Sequence, residues 1–201
     1  MTAPASTPSL ILTPTSWVEP LPVSEIFDLS RPLEVDIGCG KGRFLLARSA
    51  SHPEINFLGL DRMLRRIRKV DRKAVRAGLG NVRLLRTEAA YALRYLLPPS
   101  LVSVFYIFFP DPWPKRRHHP RRLLLGDFVG NLQTVLQPNG LVHLATDDKD
   151  YFDSFSKLFG LEAHFEEAPA PALSEDERTD FEVQFLEENK PIWRRSFLKR
   201  A

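Results

Sequence analysis

The stretch LEVDIGCGKG, from Leu33 to Gly42, decides the fold. Its first five residues form a short apolar run that ends at Gly38, which predicts a buried strand over 33–37. The glycines at 38, 40 and 42 lead into RFLLARSA, from Arg43 to Ala50, which predicts a helix. Because glycines let a turn take positive φ and approach a ligand closely, this strand–turn–helix unit predicts a binding site in an α/β sheet.

Strand and helix patterns alternate through the rest of the chain. Further strands are predicted over 55–60, 82–85, 101–109 and 141–145, and helices over 64–76, 89–97, 123–136 and 151–159. Weaker patterns predict two more strands near 163–167 and 192–198. The alternation predicts a mostly parallel sheet of seven strands with helices on both faces, in a single domain over 31–201. Residues 1–30, which begin with many Pro, Ser and Thr, are predicted to form a loose N-terminal arm.

Composition excludes several classes of protein. The 201 residues are 43% hydrophobic and 26% charged, which is typical of one globular domain. No apolar run approaches the ~20 residues of a membrane helix, and the first residues lack the pattern of a secretory signal. The single cysteine, Cys39, excludes an internal disulfide. We therefore expect a cytoplasmic protein without a membrane partner.

The positive charge of the chain is concentrated in two places, although the formal net charge is only +3. Between Arg62 and Arg76 there are eight Lys or Arg residues and one acid, Asp71. A second cluster lies between Lys115 and Arg122. Concentrated basic charge is typical of a surface that binds a polyanion such as RNA. Either cluster alone is also compatible with a solvated helix face.

The glycine turn does not match the phosphate-binding patterns. It reads G-x-G-x-G, and Arg43 stands where a dinucleotide fingerprint needs its third glycine. A phosphate loop would need Lys followed by Ser or Thr after Gly42. An acid just before the glycines, Asp36, suits a ligand with a positive centre, such as S-adenosylmethionine. A tight turn without a ligand remains the alternative at this point.

Two further acids follow neighbouring predicted strands. Asp61 ends the second strand, where its carboxylate can accept hydrogen bonds from ribose hydroxyls or begin the basic helix as an N-cap. Glu88 follows the third strand and can meet an exocyclic amine of adenine. Because the carboxyl ends of parallel strands share one edge of the sheet, we expect both acids to lie near the glycine turn.

The most specific segment, FFPDPWPKRRH, runs from Phe108 to His118. Three prolines stiffen it and hold Asp111 at the end of the predicted central strand. A carboxylate can accept from N1–H and the N2 amine of guanine together, and Trp113 offers a face for stacking a base. Lys115, with its neighbours Arg116 and Arg117, can contact phosphates. A metal site at His118 and His119 is not expected, because neighbouring residues rarely bind one ion.

Together these segments, with Ala145–Asp147 and Thr179–Glu182, resemble the bacterial tRNA (guanine-N7-)-methyltransferase family from about Leu33 to Lys199. The resemblance implies the Rossmann-like class I methyltransferase fold, S-adenosylmethionine as cofactor and guanine 46 of the tRNA variable loop as target. It implies cofactor contacts for Asp36, Gly38, Gly40, Asp61, Glu88 and Asp111, with Asp111 also catalytic. It implies substrate contacts for Lys115, Asp147, Thr179, Asp180, Phe181 and Glu182. No metal and no obligate protein partner are expected, and the protein is expected to be a monomer or a homodimer.

Three rival functions remain open from the sequence. An amino methyltransferase acting on adenine N6 or cytosine N4 would use [DN]-P-P-[YFW] at this strand end, whereas Trp113 stands one place early. A nicotinamide-dependent oxidoreductase would share the sheet but lacks its fingerprint glycine. A non-catalytic RNA-binding protein on the same scaffold would not bind the cofactor.

Overall fold

The computed structural model describes residues 9–111 and 127–201. Its strands are β1 Ile11–Leu12, β2 Leu33–Ile37, β3 Asn56–Asp61, β4 Val82–Arg86, β5 Val102–Phe108, β6 Leu136–Thr146, β7 Phe165–Ala168 and β8 Trp193–Lys199. Its helices are α1 Val23–Ile26, α2 Arg43–Ser51, α3 Leu64–Arg76, α4 Ala89–Tyr91, α5 Phe128–Val135, α6 Lys149–Leu161 and α7 Asp180–Glu187. A π-helical turn, Ala92–Leu96, continues α4.

The strands form one sheet in the order β1-β4-β3-β2-β5-β6-β8-β7. The pairings from β1 to β6 are parallel, and β8 pairs antiparallel with both β6 and β7. The strand order reverses between β2, which pairs with β3, and β5, which pairs with β6. In open α/β sheets a ligand binds outside the carboxyl ends of the strands at such a reversal.

The central strands are buried on both faces. Every residue of β2 and β3 is buried, as expected for parallel strands covered by helices on both sides. On one face, α3 packs with Ile67, Val70 and Ala74, which follow helical spacing. Gly59 lets α2 lie close to β3, because a Cβ there would stand 2.5 Å from a methyl group of Leu45. These contacts hold the glycine turn between two rigid elements.

The structure confirms the predicted fold class and differs in the strand count. The described residues contain eight strands rather than seven, because Ile11–Leu12 adds to the edge of the sheet at β4. Within the predicted loose arm, the backbone N–H of Leu10 donates to Asp71 at 2.7 Å, and Leu21 and Phe27 are buried in the core. The division into an arm and a single domain stays a prediction. No helix of the described residues is long and apolar enough to cross a membrane.

Candidate active site

The glycine turn between β2 and α2 has the backbone geometry that its sequence predicts. Gly38, Gly40 and Gly42 all have positive φ, at 82°, 56° and 77°. The N–H groups of Gly38 and Cys39 both donate to the carbonyl of Leu60 at 2.9 Å, which fixes the turn against β3. A Cβ at Gly42 would lie 2.8 Å from the side chain of Val70, so the turn also packs tightly on α3. A larger residue at 42 would push these elements apart.

A cleft of about 220 Å³ lies over this turn, at the reversal of strand order. Its floor comes from the ends of β2 and β5, and one wall comes from the start of α7. Seven of the predicted site residues line it: Asp36, Gly38, Gly40, Asp111, Thr179, Asp180 and Phe181. Segments that are far apart in the sequence therefore meet in one cleft.

Asp36 is the buried acid of the cleft, with 5% of its surface exposed. Within residues 9–111 and 127–201 no hydrogen bond to its carboxylate is formed. Burial, with a smaller contribution from the negative charge of Asp61, raises the pKa of Asp36 from 3.8 to about 7. A nearby positive charge would favour the ionised carboxylate, so the environment of Asp36 suits a cationic ligand.

Asp61 ends β3 and is 5% exposed. One carboxylate oxygen accepts from the backbone N–H of Met63 at 2.7 Å, at the start of α3. The other accepts from Gly40 N–H at 3.2 Å and lies 3.4 Å from the guanidinium of Arg66. Asp61 is not the N-cap of α3, because that position is Met63 and no side chain caps it, so this alternative is wrong. Its carboxylate instead joins the glycine turn to the start of α3. The ribose contact stays a prediction.

The end of β5 contains an unusual backbone conformation. Phe109 has φ of 50°, which is uncommon for a bulky residue, and its N–H donates to Ala145 at 2.7 Å. This kink turns the chain at Pro110 and brings Asp111 to the cleft. The carboxylate of Asp111 is 72% exposed and lies 3.8 Å from the guanidinium of Arg62. Such outliers cluster at functional sites, where surrounding contacts maintain the strain.

The segment Thr179–Glu182 begins α7. The Thr179 hydroxyl accepts from the backbone N–H of Glu182 at 3.0 Å and caps the helix. Phe181 is half exposed and packs near Phe109, with 6.3 Å between ring centroids. Glu182 points away from the cleft, because its buried carboxylate accepts from Arg194 at 2.6 Å and lines a second cavity. The structure thus brings three of the four residues to the cleft.

Comparison with known proteins agrees with this geometry. The model of a family described as "Putative methyltransferase" matches residues 30–195. A tRNA (guanine-N(7)-)-methyltransferase of Thiobacillus denitrificans is 33% identical over 90% of this chain and 82% of that protein. The chain belongs to the tRNA (guanine-N(7)-)-methyltransferase family. A Thermotoga maritima member is 35% identical over 89% of this chain, which spans 56% of that protein.

Solved structures with the same fold include more distant methyltransferases. The 16S rRNA methyltransferase KamB has a TM-score of 0.62 at 17% identity, over 87% of this chain and 89% of that one. An rRNA methylase from Streptococcus thermophilus has a TM-score of 0.56 at 14% identity, over 89% and 92%. The resemblance to the tRNA (guanine-N(7)-)-methyltransferase family and the class I methyltransferase fold, both predicted from the sequence, are therefore confirmed.

Two further predicted site residues, Glu88 and Asp147, do not line the cleft. Glu88 is exposed at the start of α4, after β4, and Asp147 is half-buried just after β6. Both lie at the carboxyl edge of the sheet, as expected for this methyltransferase family, yet neither lines the cleft. Lys115 lies outside the described residues. The roles of all the predicted site residues stay predictions.

Several residues of the site were not predicted from the sequence. Arg43, Phe44 and Arg66 line the cleft, and Phe44 packs edge-on against Tyr106 and Phe108. The position of Arg43 directly after Gly42 was the one signal that could have found it. The basic side chains of α3 are exposed, and Arg66 extends this basic face to the cleft. Among the described residues no His, Cys, Asp or Glu cluster is arranged to hold a metal ion.

Proposed function

We propose that this protein transfers a methyl group from S-adenosylmethionine to N7 of a guanine in tRNA, at position 46 of the variable loop. The observation that carries the proposal is the pairing of two acids in one cleft. Asp36 is buried beside the glycine turn, and Asp111 is exposed just after β5, in the cleft that Phe181 also lines. The first suits a cationic cofactor, and the second suits a base that enters from solvent. Family membership supports the same reaction.

The residues at the glycine turn fit the cofactor. Asp36 is buried without a hydrogen-bond partner among the described residues, and a positive centre of the cofactor would compensate its charge. The turn allows close approach, since its glycines have positive φ. Asp61 would lose its contact with Arg66 and accept hydrogen bonds from the ribose hydroxyls. Glu88 would accept a hydrogen bond from the adenine amine. When bound, S-adenosylmethionine supplies an electrophilic methyl group.

The reaction needs alignment and charge rather than a general base. Guanine N7 has a free lone pair and no proton, so no side chain has to remove one. The product base is cationic, and the carboxylate of Asp111 would stabilise that positive charge as it develops. The same carboxylate would accept from N1–H and the N2 amine, which selects guanine. Phe181 offers an exposed ring beside this position for stacking.

The basic face of α3 supports binding of tRNA. Its arginines and lysines are exposed, and Arg62 at its start contacts Asp111. Phosphates on this face would orient the tRNA while the cleft takes one base. With tRNA as its substrate, we propose a cytoplasmic location for the protein. We propose further that it acts there without an obligate protein partner, as a monomer or homodimer.

The test is to identify the methylated nucleoside. The protein is incubated with total tRNA and radiolabelled S-adenosylmethionine, and the tRNA is then digested to nucleosides. We expect 7-methylguanosine, whereas N6-methyladenosine or N4-methylcytidine would establish the amino methyltransferase instead. Cofactor binding without any methylation would favour an RNA-binding protein. A matched pair of transcripts, with guanine or adenine at position 46, tests the position, because only the first should accept the methyl group.

A further inference from the structure

A buried ionic network lies beside the cleft, outside the predicted site. The guanidinium of Arg48 in α2 lies 3.1 Å from a carboxylate oxygen of Glu34 in β2 and 3.3 Å from one of Glu177. The hydroxyl of Tyr106 donates to Glu34 at 2.9 Å, and the two carboxylate residues are 5% and 3% exposed. Although burial opposes the charge of Arg48, Tyr106 and the two carboxylates outweigh it and hold its pKa above the ordinary value.

This network joins the sheet to the loop before α7. Glu177 lies in that loop and also accepts from the backbone N–H of Ser174 at 2.9 Å, so it closes the loop on itself. One residue later, the carbonyl of Arg178 accepts from Nε of Arg43 at 3.0 Å. Arg43 and Arg48 both belong to α2, which begins at the glycine turn. Two side chains of one helix therefore hold the loop at neighbouring positions.

The loop leads directly into the wall of the cleft. Thr179, Asp180 and Phe181 follow Arg178 without a gap, and all three line the cleft. Phe181 is half exposed, and its ring lies near those of Phe109 and Phe185. The segment is held on its C-terminal side by the buried Phe185 and the Glu182–Arg194 pair, and on its N-terminal side by the bonds of Glu177 and of the Arg178 carbonyl to α2.

We infer that Glu177 and Arg48 are positioning residues for methyl transfer. They hold Thr179–Phe181 at a fixed distance from the glycine turn, and this distance aligns the base with the cofactor. The inference rests on the proposed function. A buried carboxylate needs a partner, and Glu177 has two in α2 and just after it, Arg48 at 3.3 Å and the ring of His52 at 3.6 Å. Neither residue touches the cleft itself. A change at Glu177 would therefore act on alignment rather than on a contact with either substrate.

The test compares three matched Glu→Gln variants. Glu177→Gln keeps the volume and an oxygen acceptor for Ser174 but loses the charge that pairs with Arg48. Glu34→Gln makes the same change in the same network, at a residue that does not contact the loop. Glu175→Gln makes it in the same loop at an exposed position, where the residue pairs with Arg178 at 3.0 Å. Each is assayed for single-turnover methylation at saturating tRNA and cofactor, for cofactor affinity by calorimetry and for thermal unfolding.

We expect Glu177→Gln to lower the single-turnover rate by roughly 10- to 100-fold, the size typical of a small misalignment of reacting groups. Cofactor affinity should stay at the wild-type value, because Asp36 and the glycine turn are unchanged. Glu34→Gln should lower the unfolding temperature but keep the rate, and Glu175→Gln should change neither. A wild-type rate for Glu177→Gln, or equal losses of rate in Glu34→Gln and Glu177→Gln, would overturn the inference.

A second variant covers the case in which Glu177→Gln does not fold. Arg48→Lys keeps a positive charge beside the two carboxylates but lacks the planar fork that contacts both, and it should lower the same rate at saturating cofactor. A wild-type rate in this variant would then contradict the inference. Absence of 7-methylguanosine from the wild-type reaction would instead contradict the proposed function, so the two failures are distinguishable.

Discussion

Ionisation of the buried Asp36 destabilises the folded protein when no ligand is bound. Binding of a cation beside it would offset this cost. The pKa of Asp36 is raised from 3.8 to about 7, mainly by burial and further by Asp61. The shift is about three units, and each unit corresponds to about 1.4 kcal/mol, so ionising Asp36 costs the folded state up to about 4 kcal/mol. Asp36→Asn removes that cost. An unpaired buried amide has a desolvation cost of its own, so we expect a net gain of ~2 kcal/mol above neutral pH.

The pH dependence gives this prediction its sign. Between the unfolded and folded pKa values the folded protein retains a proton that the unfolded chain releases. The contribution of Asp36 to wild-type stability is therefore fully present below about pH 4 and is lost as the pH rises to about 7. The variant lacks this decline. The variant should therefore be less stable than the wild type by ~2 kcal/mol at about pH 4 and more stable by ~2 kcal/mol above about pH 7, because the amide cost does not change with pH while the cost of ionising Asp36 adds about 4 kcal/mol.

Thermal unfolding of both proteins across this range measures the difference, and ~2 kcal/mol corresponds to roughly 4–8 °C for a chain of this size. Calorimetry on the same samples should show that Asp36→Asn binds S-adenosylmethionine much more weakly, because a neutral amide does not offset its positive charge. The reasoning is refuted by a stability difference that does not change with pH. It is also refuted by a variant that binds the cofactor as tightly as the wild type.

Three further substitutions test other parts of the site. Asp61→Ala should weaken cofactor binding at least about tenfold, because each hydrogen bond to a charged group contributes ~1.5–3 kcal/mol; unchanged binding by calorimetry would remove Asp61 from the ribose. Asp111→Asn should lower single-turnover methylation by roughly 10²–10³-fold with little change in tRNA affinity, and a near wild-type rate would show that the charge is not needed. Lys115→Ala should weaken tRNA binding and flatten its salt dependence by about one unit of slope, and equal slopes would mean that Lys115 contacts no phosphate.

The sequence predicts those strands and helices whose hydrophobic residues form a pattern within the segment itself. The strand at Leu33–Ile37 has the predicted bounds, because a short apolar run ended by glycine is visible without any knowledge of its neighbours. Helix α3 likewise shows its buried face at Ile67, Val70 and Ala74. β1 was not predicted, since a strand of two residues has no period to detect. α7 was not predicted either, because its buried residues are only Glu182 and Phe185, and Glu182 is buried through its bond to Arg194.

The difference between local patterns and distant contacts also explains which site residues the sequence predicted and which it missed. The glycine turn and Asp111 lie within continuous segments, and their chemistry can be inferred from neighbouring residues. The pair formed by Arg48 and Glu177 joins residues 129 positions apart, and nothing near either one indicates its partner. Glu34 lies in an apolar run. The sequence does not show that this charged residue is buried with a partner, because the partner becomes apparent only in the fold. Sequence therefore indicated the chemical groups of the cleft better than the contacts that hold them in place.

The short strand β1 protects an edge of the sheet. Without it, β4 would present unpaired N–H and C=O groups to solvent, and such an edge can pair with another chain and begin aggregation. Asp71, the one acid among the basic residues of α3, holds the neighbouring backbone at Leu10 in place. Trimming the chain beyond this point would uncover the edge and leave the carboxylate without that contact. Expression variants that begin after Leu12 are therefore at risk of self-association, even though they keep every residue of the cleft.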